Sequence, residues 1–424
     1  MGLADISNSL SNTEFIQRLQ DLFSNDELED LARSTGFIVR SSSRLSGRMF
    51  LELNVCDFGE NGGMSLTEKC NYLSENYDVE MSKQSLDERY HTFSVKFMRA
   101  CLERIWGIFT SGFEGIVGLQ SKFTAVKVTD STSFQLPAEL ASFYVSNGGA
   151  TSGASVKIHQ SYELLKGQIV DFHITDGKAN DVNYWLEGGL KVFPQELHLT
   201  DLGYYHLGHL GQIAQKGAYF ISRYKTGTNL YVKDQAGKLV ELDLAALVDG
   251  VSGCMELEEV YAGKEYKLPV RLTIQKLPEE IKAKRLKKLK KQAAHQSKQK
   301  KGWQNSELRK ILCGYNLFIT NVSRGTLSAA QISLFYSLRW QIELLFKIWK
   351  SLLKIDKIGK MSIFRFECYL YGKLIALLIT NQIQAFLRDS FAHDPDIDLE
   401  LSEWKAVQFL KKNSYPYAKH LGKE

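Results

Sequence analysis

Three carboxylates hold most of the chemistry this sequence could perform. Asp130 closes the apolar run AVKVTD and Asp201 closes ELHLTD, so each is set by a predicted strand where the backbone opens, while Glu343 lies in the helical stretch YSLRWQIELLFKIWKSLL. A single Asp at a strand end is commonly a turn residue. Here both follow a Thr, and with a buried helical Glu they make an oxygen-only ligand set, of the kind that suits two Mg²⁺ ions roughly 3.5–4 Å apart, Mn²⁺ being the alternative ion. The nine histidines and six cysteines offer no H-E-x-x-H, H-x-x-x-H or C-x-x-C spacing, so any metal falls to carboxylates. Scattered thiols of this kind fill apolar positions.

The helix carrying Glu343 is apolar on most sides, with Phe335, Leu338, Trp340, Ile342, Phe346 and Trp349 among its residues, and is expected to be largely buried. At about 100° per residue, Tyr336, Arg339, Glu343 and Lys350 share one wedge of roughly 60° if the helix runs unbroken from Ser328 to Leu353. An i,i+4 ion pair of Arg339 with Glu343 is the structural reading of that wedge. The functional reading makes it a phosphate-facing strip, because two further cations beside one carboxylate exceed what charge balance needs.

The elements that must position these residues change in texture along the chain. Residues 1 to about 110 read as helices: TEFIQRLQDLF, LEDLARSTGF, LTEKCNYLSEN and a long one from Ser82 to Trp106 with Ser82 as its N-cap. The turn around NYDVEM fits a helix-turn-helix or a plain bundle equally well. From about Thr124, runs rich in Val, Ile, Phe and Thr separated by Gly and Asn clusters predict strands, consecutive and antiparallel at first. ELHLTDLGYYHLGHLGQIAQKG predicts a strand, a turn and a helix, and AYFISRYK another strand. More strands follow to Leu272, then GYNLFITNV, and an apolar helical tail runs from Phe366 to Leu387.

Charge is concentrated in one place. The chain of 424 residues has a net charge of +5, yet Lys276 to Lys310 holds thirteen Lys or Arg against three Glu, a local excess that leaves the remainder acidic. This run predicts a helix charged nearly all round, either solvated or binding phosphates. The hydrophobic fraction of 44% and six prolines fit a globular protein of about three domains rather than a disordered one. No run nears the roughly 20 apolar residues of a membrane span and the N-terminus lacks a signal-peptide pattern, which predicts a cytoplasmic protein with no membrane partner.

VTDSTSFQL, LTDLGYYHLGHL and the series Tyr336, Arg339, Glu343, Lys350 resemble the Asp-Asp-Glu transposases of bacterial insertion sequences, in the branch with the Tyr-Arg-Glu-Lys signature (insertion sequence family 4). The resemblance covers roughly residues 66 to 385. It implies an α/β fold: a ribonuclease-H-like catalytic core (116–226 and 311–365) with Asp130 in its first strand, Asp201 in its fourth and Glu343 on a later helix. A helical N-terminal DNA-binding domain (1–115) would precede this core, a β-rich insertion with the basic segment (227–310) would interrupt it, and a helical C-terminal region (366–424) would follow. The implied enzyme is a nucleoid-associated homodimer on paired terminal inverted repeats. It hydrolyses the end phosphodiester to free a 3′-hydroxyl and joins that hydroxyl to target DNA. Tyr336, Arg339 and Lys350 then contact DNA phosphates. Trp303, beside the basic run, either stacks on a flipped base or packs the insertion onto the core. An end-binding protein without catalysis and a structure-specific nuclease on the same core are the competing readings.

Overall fold

The computed structural model describes residues 24–40, 44–57, 63–109, 122–147, 152–165, 168–186, 191–299, 307–351 and 353–392. The chain divides into two compact units: one of residues 1–116, 131–179 and 343–424, the other of 117–130 and 180–342.

The first unit begins with helices α1 (Asn25–Ser34), α2 (Gly47–Val55), α3 (Leu66–Tyr77), α4 (Lys83–Asp87) and α5 (Thr92–Phe109). The expected helix TEFIQRLQDLF lies outside the described residues. Ser65 and Glu68 form a capping box that starts α3, and the Ser82 hydroxyl accepts the Ser85 amide at the start of α4. The single helix expected from Ser82 to Trp106 is in fact two. The turn Glu88–His91 ends α4, and Ser94 restarts the chain by accepting the His91 amide and donating back to its carbonyl. Helix α2 was not anticipated, because RMFLELNV is apolar on nearly every side and lacks a helical stripe. The rings of Phe37, Phe50 and Phe97 pack together, the first and last stacked at 5.2 Å.

Strand β1 (Ala125–Gln135) passes from the second unit into the first, where β2 (Ser155–Glu163) and β3 (Gln168–Asp176) pair antiparallel, as expected of these consecutive β-rich runs. The remaining elements of the second unit are α6 (Asp181–Leu186), β4 (Glu196–Thr200), α7 (Leu207–Gln215), β5 (Tyr219–Arg223), β6 (Leu230–Lys233), β7 (Leu239–Glu241), α8 (Leu244–Asp249), β8 (Cys254–Ala262), β9 (Leu268–Lys276), α9 (Glu279–Gln299), α10 (Glu307–Ile311), β10 (Tyr315–Thr320) and α11 (Ala329–Ser337). Helices α12 (Trp340–Ser351) and α13 (Ile363–Ala392) return to the first unit, where α13 packs on α2 and α5.

Within the second unit the sheet order is β1, β4, β5, β10, β9, β8, β6, β7. β1, β4 and β5 are parallel, as buried strands with a helical crossover must be, and β10 reverses direction beside β5. Strands β6 to β9 extend this same sheet through the β9–β10 ladder. The protein is thus a mixed α/β fold built on a large mixed sheet. Among the described residues no helix is long and apolar enough to cross a membrane.

Candidate active site

Strand register brings Asp130 and Asp201 together. The parallel pairing of β1 with β4 ends at Thr129 with Thr200, so Asp130 and Asp201 are each the next residue, on the same face of two adjacent strands. Contrary to expectation, Asp130 does not end its strand; β1 continues to Gln135, and it is β4 that stops. The Asp201 side chain accepts the Gly203 amide at 3.4 Å, starting a short 3₁₀ turn. That carboxylate thereby fixes its own loop.

The same register places a third charge in the row. β4 pairs with β5 up to Thr200 with Ser222, so Arg223 follows beside Asp201, and across β10 it pairs with Phe318. Sequence reasoning passed over Arg223. The signal available was that AYFISR, like AVKVTD and ELHLTD, is an apolar run closed by a charge. Three neighbouring parallel strands therefore bring Asp130, Asp201 and Arg223 to one level, where the β1–β4 ladder stops, at the edge where open α/β sheets bind ligands.

Arg339 closes the site from above. Its Nη1 donates to Asp130 Oδ2 at 2.9 Å and its Nε stands 3.8 Å from Asp201 Oδ1. The helix expected to run unbroken from Ser328 to Leu353 is interrupted here: the Leu338 and Arg339 amides reach only to Phe335 and Tyr336, three residues back. Arg339 therefore sits in the turn between α11 and α12, and the single wedge of four polar residues is corrected to three separate placements. Two aspartates from the sheet are among its partners.

What delivers this turn is a buried tether. Arg271 on β9 pairs with Glu256 and donates to the carbonyl of Leu327 at 2.7 Å, holding the loop just before α11. Ser328 and Gln331 then form a capping box that starts the helix. One helical turn before Arg339, Tyr336 is buried and its hydroxyl donates to the Thr200 carbonyl at 3.3 Å, beside Asp201. Burial, and then the Asp201 charge, push the phenol up to about 12 against the opposing Arg339 and Arg223, so it stays a neutral donor.

Glu343 and Lys350 lie on α12, in the other unit. That helix is amphipathic rather than buried all round: Ile342, Leu345, Phe346 and Trp349 are buried, whereas Glu343 is exposed and Trp340 is 49% exposed. The expected buried Glu is thus corrected. A carboxylate on the solvent side needs no buried counter-charge. Lys350 donates to the Ser133 carbonyl at 3.0 Å, and burial draws its pKa down, with Asp356 opposing. Trp303 lies outside the described residues. Among the described residues, no three His, Cys, Asp or Glu side chains gather as a ligand set.

The basic run folds as α9, as predicted. Leu289 is its buried anchor, and Arg285 ties it to β10 through the Tyr315 carbonyl at 3.0 Å and Asn316 Oδ1 at 2.8 Å. Most of its lysines face solvent.

Residues 121–379 match the family described as the transposase DDE domain, which is more than half the chain. This chain belongs to the DDE transposase family. It is 32% identical over 421 residues to the transposase for insertion sequence element IS1151 of Clostridium perfringens, covering 94% of this chain and 86% of that protein. It is also 32% identical over 400 residues to the transposase for insertion sequence element IS231B of Bacillus thuringiensis subsp. berliner, covering 91% and 82%. A structure of piggyBac transposase in a synaptic complex with hairpin DNA is similar over 95% of this chain and 80% of that one, with a TM-score of 0.48 and 9% identity. The family match begins just before β1 and closes within α13, so every residue of the carboxylate edge falls inside it.

Proposed function

We propose that this family member is the transposase of an insertion sequence, cutting its ends and joining the freed 3′-hydroxyl to target DNA in the nucleoid. The observation that carries this reading is the pair Asp130 and Asp201, side by side on adjacent parallel strands and answered by a cationic side chain. Two carboxylates in register suit a hard divalent cation, and the Arg339 guanidinium is a stand-in positive charge within bonding distance. Asp130, Asp201 and Glu343 are the proposed ligands of two Mg²⁺ ions on a ribonuclease-H-like core. When bound, such ions lower the pKa of a nucleophilic water or 3′-hydroxyl and stabilise the leaving oxygen.

The chain's own residues supply the rest. Arg339, Lys350 and Tyr336 donate to phosphate oxygens around the scissile bond, and Arg223 extends that row of donors beside Asp201. The lysines of α9 track the DNA backbone, and the N-terminal helices hold the element's ends. Trp303 is the proposed platform for a flipped base, and a homodimer pairs the two ends. Both displacements at phosphorus proceed in line, with no covalent protein intermediate.

The test is nicking of a duplex carrying the element's own terminal inverted repeat, with Mg²⁺ or Mn²⁺. Metal-dependent cleavage that leaves a 3′-hydroxyl at the element boundary and is lost in Asp201→Asn supports the reading. Binding without cleavage would assign the chain to end recognition alone, and cutting without joining to a nuclease.

A further inference from the structure

We propose that Arg339 serves two partners in turn: it is the counter-cation of Asp130 and Asp201 in the metal-free protein, and it is released to a DNA phosphate when metal loads. This inference rests on the metal-site reading above and adds an order of events to it.

The geometry is that of a substitute cation. One guanidinium reaches both carboxylates, at 2.9 Å and 3.8 Å, and both it and Asp130 retain only 16% of their side-chain exposure. Taking two adjacent aspartates partly out of water is unfavourable unless a positive charge lies between them. Arg339 supplies such a charge to both carboxylates at once. A divalent ion meets it better, and cannot share the site with Arg339 in place: both seek the same Asp130 oxygen, and two cations at contact distance repel.

The backbone allows the exchange. Arg339 stands in the interruption between α11 and α12, where its amide bonds to Tyr336 at 3.1 Å and its carbonyl receives Ile342 at 3.4 Å in three-residue turns. Its neighbours do not move with it, since Tyr336 is anchored to β4 and Ile342 is buried. A guanidinium bonded to carboxylates presents the same fork that recognises phosphate bidentately, so the released group is already shaped for DNA. Metal and DNA should therefore each favour the other's binding, because each takes one of the two partners between which Arg339 is held.

The experiment measures Mn²⁺ binding to the full-length protein by the electron paramagnetic resonance signal of free Mn²⁺, with and without a mixed-sequence DNA duplex. Without DNA, Arg339→Ala should bind Mn²⁺ roughly 10-fold more tightly than wild type, within the usual range of coupling between sites. Duplex should tighten Mn²⁺ binding to wild type by a comparable factor and leave Arg339→Ala unchanged. Arg339→Gln, which keeps a polar side chain without the charge, provides the same comparison should the alanine variant fold poorly. Folded variants that bind Mn²⁺ no more tightly than wild type, in binding that Asp130→Asn abolishes, overturn the exchange and leave the metal site standing. Mn²⁺ binding that Asp130→Asn does not alter in any of these proteins overturns both. Asp130-dependent binding seen in the Arg339 variants but too weak to detect in wild type supports the exchange.

Discussion

The two faces of the strand pair β1 and β4 carry charge in opposite ways. On one face, Lys127 bonds Glu196 at 2.6 Å, His198 stands 3.2 Å from the same carboxylate, and the Phe193 amide donates to it at 3.0 Å. All three side chains are buried and their partners lie within the sheet and its adjoining loop. On the other face, Asp130 and Asp201 stand at the open end of the ladder, and Arg339 comes from outside the sheet. Alternation along a strand thus separates a closed charge group, whose balance is part of the fold, from an open one whose counter-charge can be replaced. Substitutions on the first face should cost stability and those on the second should cost function.

The largest effect tests the open face. Asp201→Asn keeps volume and the Asx-type bond to Gly203, and it removes the charge. End nicking should fall on the order of 10³-fold or more while the melting temperature stays near that of wild type or rises in metal-free buffer, since a charge without full compensation has gone. A folded Asp201→Asn enzyme that still nicks would erase the distinction between the faces.

Next comes the closed face. Glu196→Ala strands a buried Lys127 ammonium and should cost about 3–5 kcal/mol in urea unfolding. Nicking per folded molecule should be little changed. If activity fell far more than the folded fraction, the closed group would be part of the catalytic machinery after all.

The pH dependence of the closed group sharpens the contrast. Burial holds His198 below its ordinary value of 6.5, more strongly than the Glu196 bond raises it. The folded state therefore binds fewer protons than the unfolded chain once pH drops below that value. Stability from a neutral His198 is present above it and is lost as pH falls toward the depressed folded value. Melting temperature should decline between about pH 7 and pH 5, and His198→Gln, which does not titrate, should flatten that decline. An equally steep profile in the variant would assign the acid sensitivity to other groups.

How much of this is legible in the sequence follows from how local each feature is. The strands around Asp130 and Asp201 were visible because apolar β-branched runs closed by charge need only short-range pattern. Their side-by-side placement is a matter of register, which no single run declares. Arg223 was missed for that reason, being the third member of a row that appears only when β5 is laid beside β4. The break at Arg339 escaped because an apolar helix pattern continues through it in phase. At the interruption Arg339 meets two aspartates more than a hundred residues earlier in the chain, a contact the local pattern does not declare. Glu343 was expected to be buried because aromatic residues surround it in sequence, yet α12 turns Ile342, Leu345, Phe346 and Trp349 inward and Glu343 outward. The basic helix α9 was readable from composition alone, and its attachment through Arg285 to Asn316 was not.

The smallest effect concerns the residue that touches both schemes. Tyr336 donates to the Thr200 carbonyl, the last backbone group of β4, and its ring packs on Phe318 at 5.0 Å between centroids. Tyr336→Phe keeps the ring and removes one neutral hydrogen bond, leaving a buried carbonyl without that donor, at a cost of about 1–2 kcal/mol. If the hydroxyl only pins the end of β4, this loss should appear in urea unfolding while affinity for transposon ends is unchanged. If it leaves Thr200 to donate to a phosphate, stability of the free protein still falls, and end affinity drops as well, by the excess of the charge-assisted phosphate bond over the bond given up, about 1 kcal/mol or roughly 5-fold. Measured together, unfolding and end binding therefore assign Tyr336 either to the framework of β4 or to the DNA-contacting side. A variant altered in neither would mean that the hydroxyl contributes to neither face.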